Sequence, residues 1–156
     1  MQKITTFLMF SDRAKEAVNF YVSVFKNSKI ESMTRIEGAP GVDDALQLTT
    51  FQLEGQEFMA MNGGPHFTFE QGISLFVNCE TQEEVDELWE KLAEGGEKQP
   101  CGWVRDKFGV SWQIVPSALG EMMQDKDPAK SKRVMEALLK MSKIDIKTLN
   151  QAYEQE

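Results

Sequence analysis

The sequence has few of the residues on which metal sites, disulfide frameworks and histidine-based catalysis depend. Its 156 residues include two cysteines and one histidine. Cys79 and Cys101 lie far apart and form no CxxC or Cys/His cluster, which fits a reducing compartment better than a disulfide scaffold. The single histidine, His66, excludes a histidine dyad, and we expect it to have a structural or solvent-exposed role.

Positive charge is also scarce. Seventeen Lys and Arg against 25 Asp and Glu give a formal net charge of -8 at pH 7. Such a surface repels phosphate backbones and anionic bilayers, so we expect neither nucleic-acid binding nor membrane binding. No apolar run approaches the ~20 residues that span a bilayer. The segment MQKITTFLMFSD lacks the features of a signal peptide, and we expect a cytoplasmic protein.

The composition and the hydrophobic pattern indicate a globular α+β domain. Hydrophobic residues make up 41% of the chain and charged residues 27%. The run from Ile4 to Phe10 predicts a strand buried on both faces, and Ser11-Asp12 offers capping oxygens for an amphipathic helix. The pattern then predicts a strand at 29–36, a flexible acidic loop from Gly38 to Asp44, and strands at 46–53 and 57–61 that form a hairpin at Glu54-Gly55-Gln56.

The same order of elements begins again after the break NGGPHF. It comprises a buried strand at Ile73 to Cys79, a helix with a Thr81/Glu84 capping box that ends at Gly95, and a hairpin of 103–105 with 110–115. The two halves form a weak internal repeat with a period of about 69 residues. In this alignment Phe7 corresponds to Phe76.

From Pro116 onward the pattern is helical. Asp127-Pro128 supplies an N-cap and a first turn, and an apolar stripe follows at Val134, Met135, Leu138, Leu139 and Met141. A shorter helix is predicted from about Ile146 to Tyr153. This tail could hardly bury its own apolar face. We therefore expect residues 117–156 to pack on the domain formed by residues 1–116 or on a dimer partner.

Three stretches of the chain resemble a known family: EAVNFYVSVF (16–25), NGGPHFTFEQGISLFVNCETQEEVDELW (62–89) and CGWVRDKFGVSWQIVP (101–116). Together they resemble the PhnB-like, or 3-demethylubiquinone-9 3-methyltransferase-like, family of the vicinal-oxygen-chelate (glyoxalase/bleomycin-resistance) superfamily. The resemblance implies an α+β fold of two βαβββ modules, at about 1–62 and 72–116, that form a ligand cup, usually in a homodimer. Whether the halves pair within or between chains stays open.

The metal-dependent members of that superfamily hold a divalent ion with His, Gln and Glu side chains on strands that face the cup. Strand alignment places the corresponding positions near Thr5, at Met59 or Met61, near Gly72 and at Gln113. Only Gln113 could coordinate, through a neutral amide oxygen, and one weak ligand does not hold an ion. We therefore expect no metal and no other cofactor.

Alternation along the predicted strands indicates which side chains line the cup, if Gln113 faces inward. The candidate ligand-binding residues are Thr5, Phe7, Met9 and Met61 in the first half, and Ser74, Phe76, Asn78, Trp103, Arg105 and Gln113 in the second. Such a cup is aromatic and rich in methionine, as a site for a flat or amphipathic molecule requires. Arg105 could pair with an anionic ligand oxygen, or with Asp106 or Glu57 at the surface.

Three functions are compatible with these residues. The first is metal-independent binding of a small aromatic or amphipathic molecule. The second is an enzyme acting on a small quinone-like or aromatic metabolite, and the third is a structural role in which the cup is vestigial. No catalytic residue can be named. The sequence contains no Gly-x-Gly-x-Gly turn of the kind that binds S-adenosylmethionine, so we do not infer methyl transfer.

Overall fold

The computed structural model of the chain describes residues 2–36 and 47–155. The loop predicted from Gly38 to Asp44 lies outside these residues. The chain divides into two compact units, Met1–Thr68 and Phe69–Glu156, and each contains one four-stranded sheet. Among the helices in the described ranges, none is long and apolar enough to cross a membrane.

The first unit is a βαβββ module. Its elements are β1 (Thr6–Phe10), α1 (Ala14–Val24), β2 (Lys29–Arg35), β3 (Gln47–Leu53) and β4 (Gln56–Asn62). The strand order is β1-β4-β3-β2, with β1 parallel to β4 and the other pairs antiparallel. The predicted hairpin is confirmed. Glu54 and Gly55 connect β3 to β4 with φ of 51° and 79°, which suits the twist of the flanking strands.

Helix α1 packs on one face of this sheet, because its apolar side chains recur every three or four residues. The core includes Leu8, Phe10, Phe51 and Phe58 of the sheet and Ala17, Val18, Tyr21 and Phe25 of the helical segment. The prediction that residues 4–10 are buried on both faces is wrong. Ile4 precedes β1 and is 85% exposed, and alternation turns Phe7 away from α1, where it is 42% exposed.

The start of α1 is capped by a distant residue. The sequence predicts capping by Ser11-Asp12, and this prediction is wrong. The N–H of Ala14 donates to Asn62 Oδ1 at 2.8 Å. Asn62 lies 48 positions further along the chain, at the end of β4. The Ser11 hydroxyl donates instead to the carbonyl oxygen of Phe67. A local pattern cannot reveal a cap that only the sheet brings into place.

The second unit repeats the order of the first and adds three helices. Its elements are β5 (Leu75–Cys79), α2 (Gln82–Ala93), β6 (Glu97–Lys98), a 3-10 turn (Pro100–Gly102), β7 (Trp103–Arg105), β8 (Ser111–Pro116), α3 (Ser117–Met123), α4 (Pro128–Leu138) and α5 (Ile146–Glu154). The strand order β5-β8-β7-β6, with β5 parallel to β8, matches the first sheet. The predicted repeat and the α+β fold of two βαβββ modules are confirmed. Ile73 lies before β5, 81% exposed, so this strand begins later than predicted.

The helix start signals of this unit are confirmed. Thr81 Oγ1 accepts from the N–H of Glu84 at 3.2 Å, and the Glu84 carboxylate accepts from the N–H of Glu80 at 2.9 Å. Asp127 Oδ1 accepts from the N–H of Ala129 at 2.9 Å, with Pro128 in the first turn of α4. Each oxygen satisfies a backbone donor that has no partner within its helix.

The three C-terminal helices pack on the sheet of their own unit. The buried cluster that joins them to β8 consists of Val115, Leu119, Met122, Val134, Leu138, Ile144 and Leu149. The side chain of Gln82 in α2 also binds this tail, because it accepts from the N–H of Ile146 at 2.8 Å and donates to the carbonyl of Ile144 at 3.0 Å. Gly102 approaches the tail closely. A Cβ at this position would lie 2.7 Å from Ile144 Cδ1.

The apolar stripe of α4 is divided between two surfaces. Val134 and Leu138 are buried, whereas Met135 is 37% exposed and Leu139 is 64% exposed. Adjacent helical residues differ by about 100° in direction, so the two pairs point to different sides. Of the two surfaces that the sequence left open for this tail, the domain or a dimer partner, its own unit buries Val134 and Leu138.

A buried carboxylate organises the β7–β8 hairpin. Asp106 is 3% exposed, and its Oδ1 accepts from the N–H groups of Phe108 at 2.9 Å and Val110 at 3.0 Å. Its Oδ2 accepts from the indole Nε1–H of Trp112 at 2.8 Å. The same side chain therefore fixes the turn and the position of the large residue that β8 places against α2.

Replacing Asp106 should destabilise the protein strongly. Asp106→Ala leaves three donors, two of them fully buried, without these acceptors, and we expect the free energy of unfolding to fall by about 3 kcal/mol. The measurement is chemical denaturation followed by tryptophan fluorescence. Glu70→Ala, an exposed carboxylate of the same unit, is the control and should change stability by less than about 0.5 kcal/mol. Similar losses in both variants would contradict the assignment.

The two cysteines have different surroundings. Cys79 at the end of β5 is fully buried, and burial, followed by the charges of Glu84 and Glu80, raises the pKa of its thiol to about 12. Cys101 is partly buried in the 3-10 turn, where its Sγ lies 3.7 Å from the carbonyl oxygen of Leu138. Since the thiolate is the reactive form, Cys79 should be inert in the folded protein.

Alkylation should therefore distinguish the two thiols. With iodoacetamide at pH 8, we expect Cys101 to react first and Cys79 to react only after denaturation, because its raised pKa keeps the native thiol protonated. Peptide mass spectrometry measures both sites. A Cys101→Ser variant should be almost unlabelled when folded and singly labelled in denaturant. Rapid labelling of native Cys79 would show that this side chain is not buried as described.

Candidate functional site

One face of the second sheet carries a row of residues that the sequence predicted as ligand-binding. Cross-strand pairing places Phe76 and Trp103 on either side of Gln113, because β8 lies between β5 and β7. Asn78 lies two residues beyond Phe76 and therefore on the same face. The alternate residues, such as Trp112, are buried on the opposite face. The strand period thus gathers two aromatic rings and two amides on the face opposite that core.

A groove of about 610 Å³ opens on this face. The sheet and the adjoining turn form its floor, and the C-terminal helices form its walls. The floor residues are Phe76, Asn78, Cys101, Trp103, Gln113, Val115 and Pro116, and the wall residues are Ser117, Leu119, Gly120, Glu121, Met123, Gln124, Met135, Leu138 and Leu139. The groove lies within the second unit.

The amide of Gln113 is oriented by a neighbouring strand segment. Its Nε2 donates to the Ser74 hydroxyl at 2.9 Å. With the nitrogen turned toward Ser74, Oε1 is presented as an acceptor, and no donor among the described residues binds it. Ser74, a predicted ligand-binding residue, thus contacts Gln113 and does not line the groove.

Arg105 does not line the groove either. It shares the sheet face of Trp103 but is exposed at the end of β7, beyond the described lining. Both oxygens of its neighbour Asp106 accept from Phe108, Val110 and Trp112. No ion pair joins Arg105 to a carboxylate of the second unit among the residues described, and its pairing with an anionic ligand oxygen stays a prediction.

The remaining predicted residues belong to the first unit. Thr5 precedes β1, and pairing of β1 with β4 places Phe7 beside Met59 and Met9 beside Met61. These side chains share the sheet face that α1 does not cover. That the two sets of residues form one cup stays a prediction, and whether the halves pair within or between chains stays open.

Sequence reasoning missed the helical walls of the groove. Ser117, Gly120 and Glu121 of α3, with Gln124 directly after it, recur at the three/four spacing of one helix face. On α4, Met135 and Leu139 form a second apolar stripe beside Val134 and Leu138. The sequence therefore showed an apolar stripe too wide for a single buried face. It did not show which surface the additional residues would line.

The residues at the groove do not fit a divalent metal ion. Such an ion needs several converging donors, and histidine or carboxylate side chains normally supply most of them. The floor offers the neutral amides of Asn78 and Gln113, and Glu121 is the carboxylate among the lining residues. No cluster of three or more His, Cys, Asp or Glu side chains suited to a metal occurs in the part of the chain that the structure describes.

Comparison with known proteins bears on the family and the fold. The family model described as 3-demethylubiquinone-9 3-methyltransferase matches residues 2–115. A comparison with curated proteins gives no match. Among solved structures, a PhnB protein from Bacillus cereus is 42% identical, covering 74% of this chain and 99% of its own, with a TM-score of 0.65.

Two more distant structures are similar in fold alone. A protein from Pseudomonas aeruginosa is 23% identical, with 74% of this chain and 98% of that chain covered and a TM-score of 0.62. The fosfomycin resistance protein FosX from Listeria monocytogenes, crystallised with Mn(II) and sulfate, is 19% identical over 72% of this chain and 90% of its own, with a TM-score of 0.53. The chain therefore belongs to the 3-demethylubiquinone-9 3-methyltransferase family, the PhnB-like branch of the vicinal-oxygen-chelate superfamily that the three sequence stretches resemble.

Proposed function

We propose that the protein binds a small organic molecule in the groove of the second unit without the help of a metal ion. The observation that carries this proposal is the composition of the groove. Two aromatic side chains flank an oriented amide on the floor, and methionine and leucine side chains form the walls. Ligand pockets of about 300–1,000 Å³ with mostly apolar linings and few polar groups are typical for small organic molecules.

The polar groups of the groove suit orientation of a ligand. Gln113 is held by Ser74, so its amide oxygen can accept a hydrogen bond without first being reorganised. Phe76 is 54% exposed, and covering it with a flat ligand would remove apolar surface from water. The ligand class that this arrangement supports is aromatic or amphipathic.

An enzyme acting on an aromatic or quinone-like metabolite is the alternative, and one experiment separates the two functions. A binding protein leaves its ligand unchanged, whereas an enzyme consumes it. Chromatography of the candidate compound after prolonged incubation with the protein measures this difference. Catalytic consumption would replace the binding function by an enzymatic one at the same groove.

The binding function predicts saturable uptake of a neutral probe. N-phenyl-1-naphthylamine should bind with a stoichiometry near one per chain and accept energy from the tryptophans. Phe76→Ala should weaken this binding by about tenfold, because removal of a buried phenyl contact costs roughly 1.5 kcal/mol. Fluorescence titration gives both values.

Gln113→Leu is the second variant, and Gln99→Leu, outside the groove lining, is its matched control. Loss of the oriented acceptor should change the affinity of probes that carry an N–H group, while the control should match the unmodified protein. Binding that is absent, or that none of the groove variants alters, would contradict the proposal.

We also propose that the protein acts in the cytoplasm as a homodimer. The proposal of a dimer rests on the family resemblance and not on the apolar stripe of α4, because Val134 and Leu138 are buried within their own unit. Sedimentation equilibrium at micromolar concentration should give twice the chain mass of 17.7 kDa. A mass equal to one chain over this range would refute the dimer without affecting the groove.

A further inference from the structure

The charge of the groove restricts the ligand further, if the proposed binding function holds. Among the described residues that line it, Glu121 is charged, and no Lys, Arg or His takes part. The whole chain carries a net charge of -8. An anionic ligand would meet this field without a compensating cation, whereas a cation would be attracted to it.

Two hydrogen-bond acceptors of the groove favour the same sign of charge. The Oε1 of Gln113 accepts from no described residue, while its nitrogen already donates to Ser74. The Glu121 carboxylate only accepts hydrogen bonds. An ammonium group supplies donors and no acceptor. Aromatic faces such as those of Phe76 and Trp103 also attract cations through the ring quadrupole.

The walls determine what the rest of the ligand must be. Met123, Met135 and Leu139 are apolar and come from two helices on the same groove. Methionine adapts to irregular apolar shapes, and Leu139 is 64% exposed along this surface. A purely polar amine would leave these side chains in contact with water. The ligand therefore needs an apolar body in addition to its charge.

We infer that the groove selects amphiphilic amines: molecules with a flat apolar body and a protonated amino group that meets Glu121 and the Gln113 amide oxygen. This deepens the proposed function, because it names the class of ligand for the same groove. A neutral molecule or a carboxylate of the same shape should bind more weakly.

Three fluorescent probes with one body isolate the charge. They are 1-pyrenemethylamine, 1-pyrenemethanol and 1-pyrenecarboxylate, titrated by fluorescence anisotropy at pH 7. We expect the amine to bind about tenfold more tightly than the carboxylate, since two partly exposed charge effects of up to ~1 kcal/mol act in the same direction. The alcohol should lie between them, and added salt should reduce the difference.

Glu121→Gln should lower the preference for the amine to about twofold. Glu136→Gln, on α4 outside the groove lining, removes the same charge and should leave the preference near tenfold, which controls for the general field of an acidic protein. Equal effects of the two variants would overturn the role of Glu121. A carboxylate that binds as tightly as the amine would overturn the inference as a whole.

A bulky side chain at Gly120 tests whether the probes bind in the groove. A Cβ there meets nothing within 4 Å, so Gly120→Leu should fold normally and project into the groove. Gly72→Leu, which also meets open space but lies outside the lining, is the control. We expect Gly120→Leu to weaken all three probes at least tenfold. If it blocks them without an amine preference, the binding function stands and the inference fails. If it blocks none, both fail.

Discussion

The buried carboxylate of Asp106 supports the arrangement on which the groove depends. Its bonds to two backbone N–H groups close the turn between β7 and β8, and its bond to the Trp112 indole sets the first residues of β8. Strand side chains alternate, so a slip of one residue would move Gln113 to the face that holds Trp112. The position of Gln113 therefore depends on a side chain that does not line the groove. The interaction also explains why a charged residue is tolerated in the core, since each carboxylate oxygen has a donor.

The C-terminal helices make the second unit different from the first. Both units have the same strand order, but only the second continues into helices that pack on its last strand. Backbone bonds from Cys101 and Gly102 to Met141 and Ser142 hold the segment between α4 and α5. The helices bury one stripe against β8 and leave another along the groove. Core packing and the apolar wall of the groove thus come from adjacent positions of the same helix.

Charge and apolar surface act together in this groove. The floor amides and the Glu121 carboxylate offer hydrogen-bonding groups to a ligand, while the aromatic and methionine side chains offer apolar contact area. A cofactor ion would need a different set of residues, because two amides and one carboxylate do not replace the hydration shell of a divalent cation. FosX, which was crystallised with Mn(II), is similar to this chain in fold.

The amino-acid sequence by itself determined the features that depend on neighbours along the chain. The three/four spacing of α1 and α2, the Thr81/Glu84 capping box, the hairpin at Glu54-Gly55 and the repeat of two βαβββ modules all follow from local pattern. Alternation also placed Phe76, Asn78, Trp103 and Gln113 on one face. These features were predictable because each reflects a fixed helical or strand period.

Only the tertiary structure decided which surfaces meet. It replaced the Ser11-Asp12 cap of α1 by Asn62, it buried Val134 and Leu138 within their own unit, and it brought Met135, Leu139 and Glu121 to the groove. It also tied Gln113 to Ser74, across 39 residues of sequence. The physical reason is common to all four cases. A periodic pattern specifies the direction of a side chain relative to its own element, whereas its partner is specified by the packing of elements that are distant in sequence.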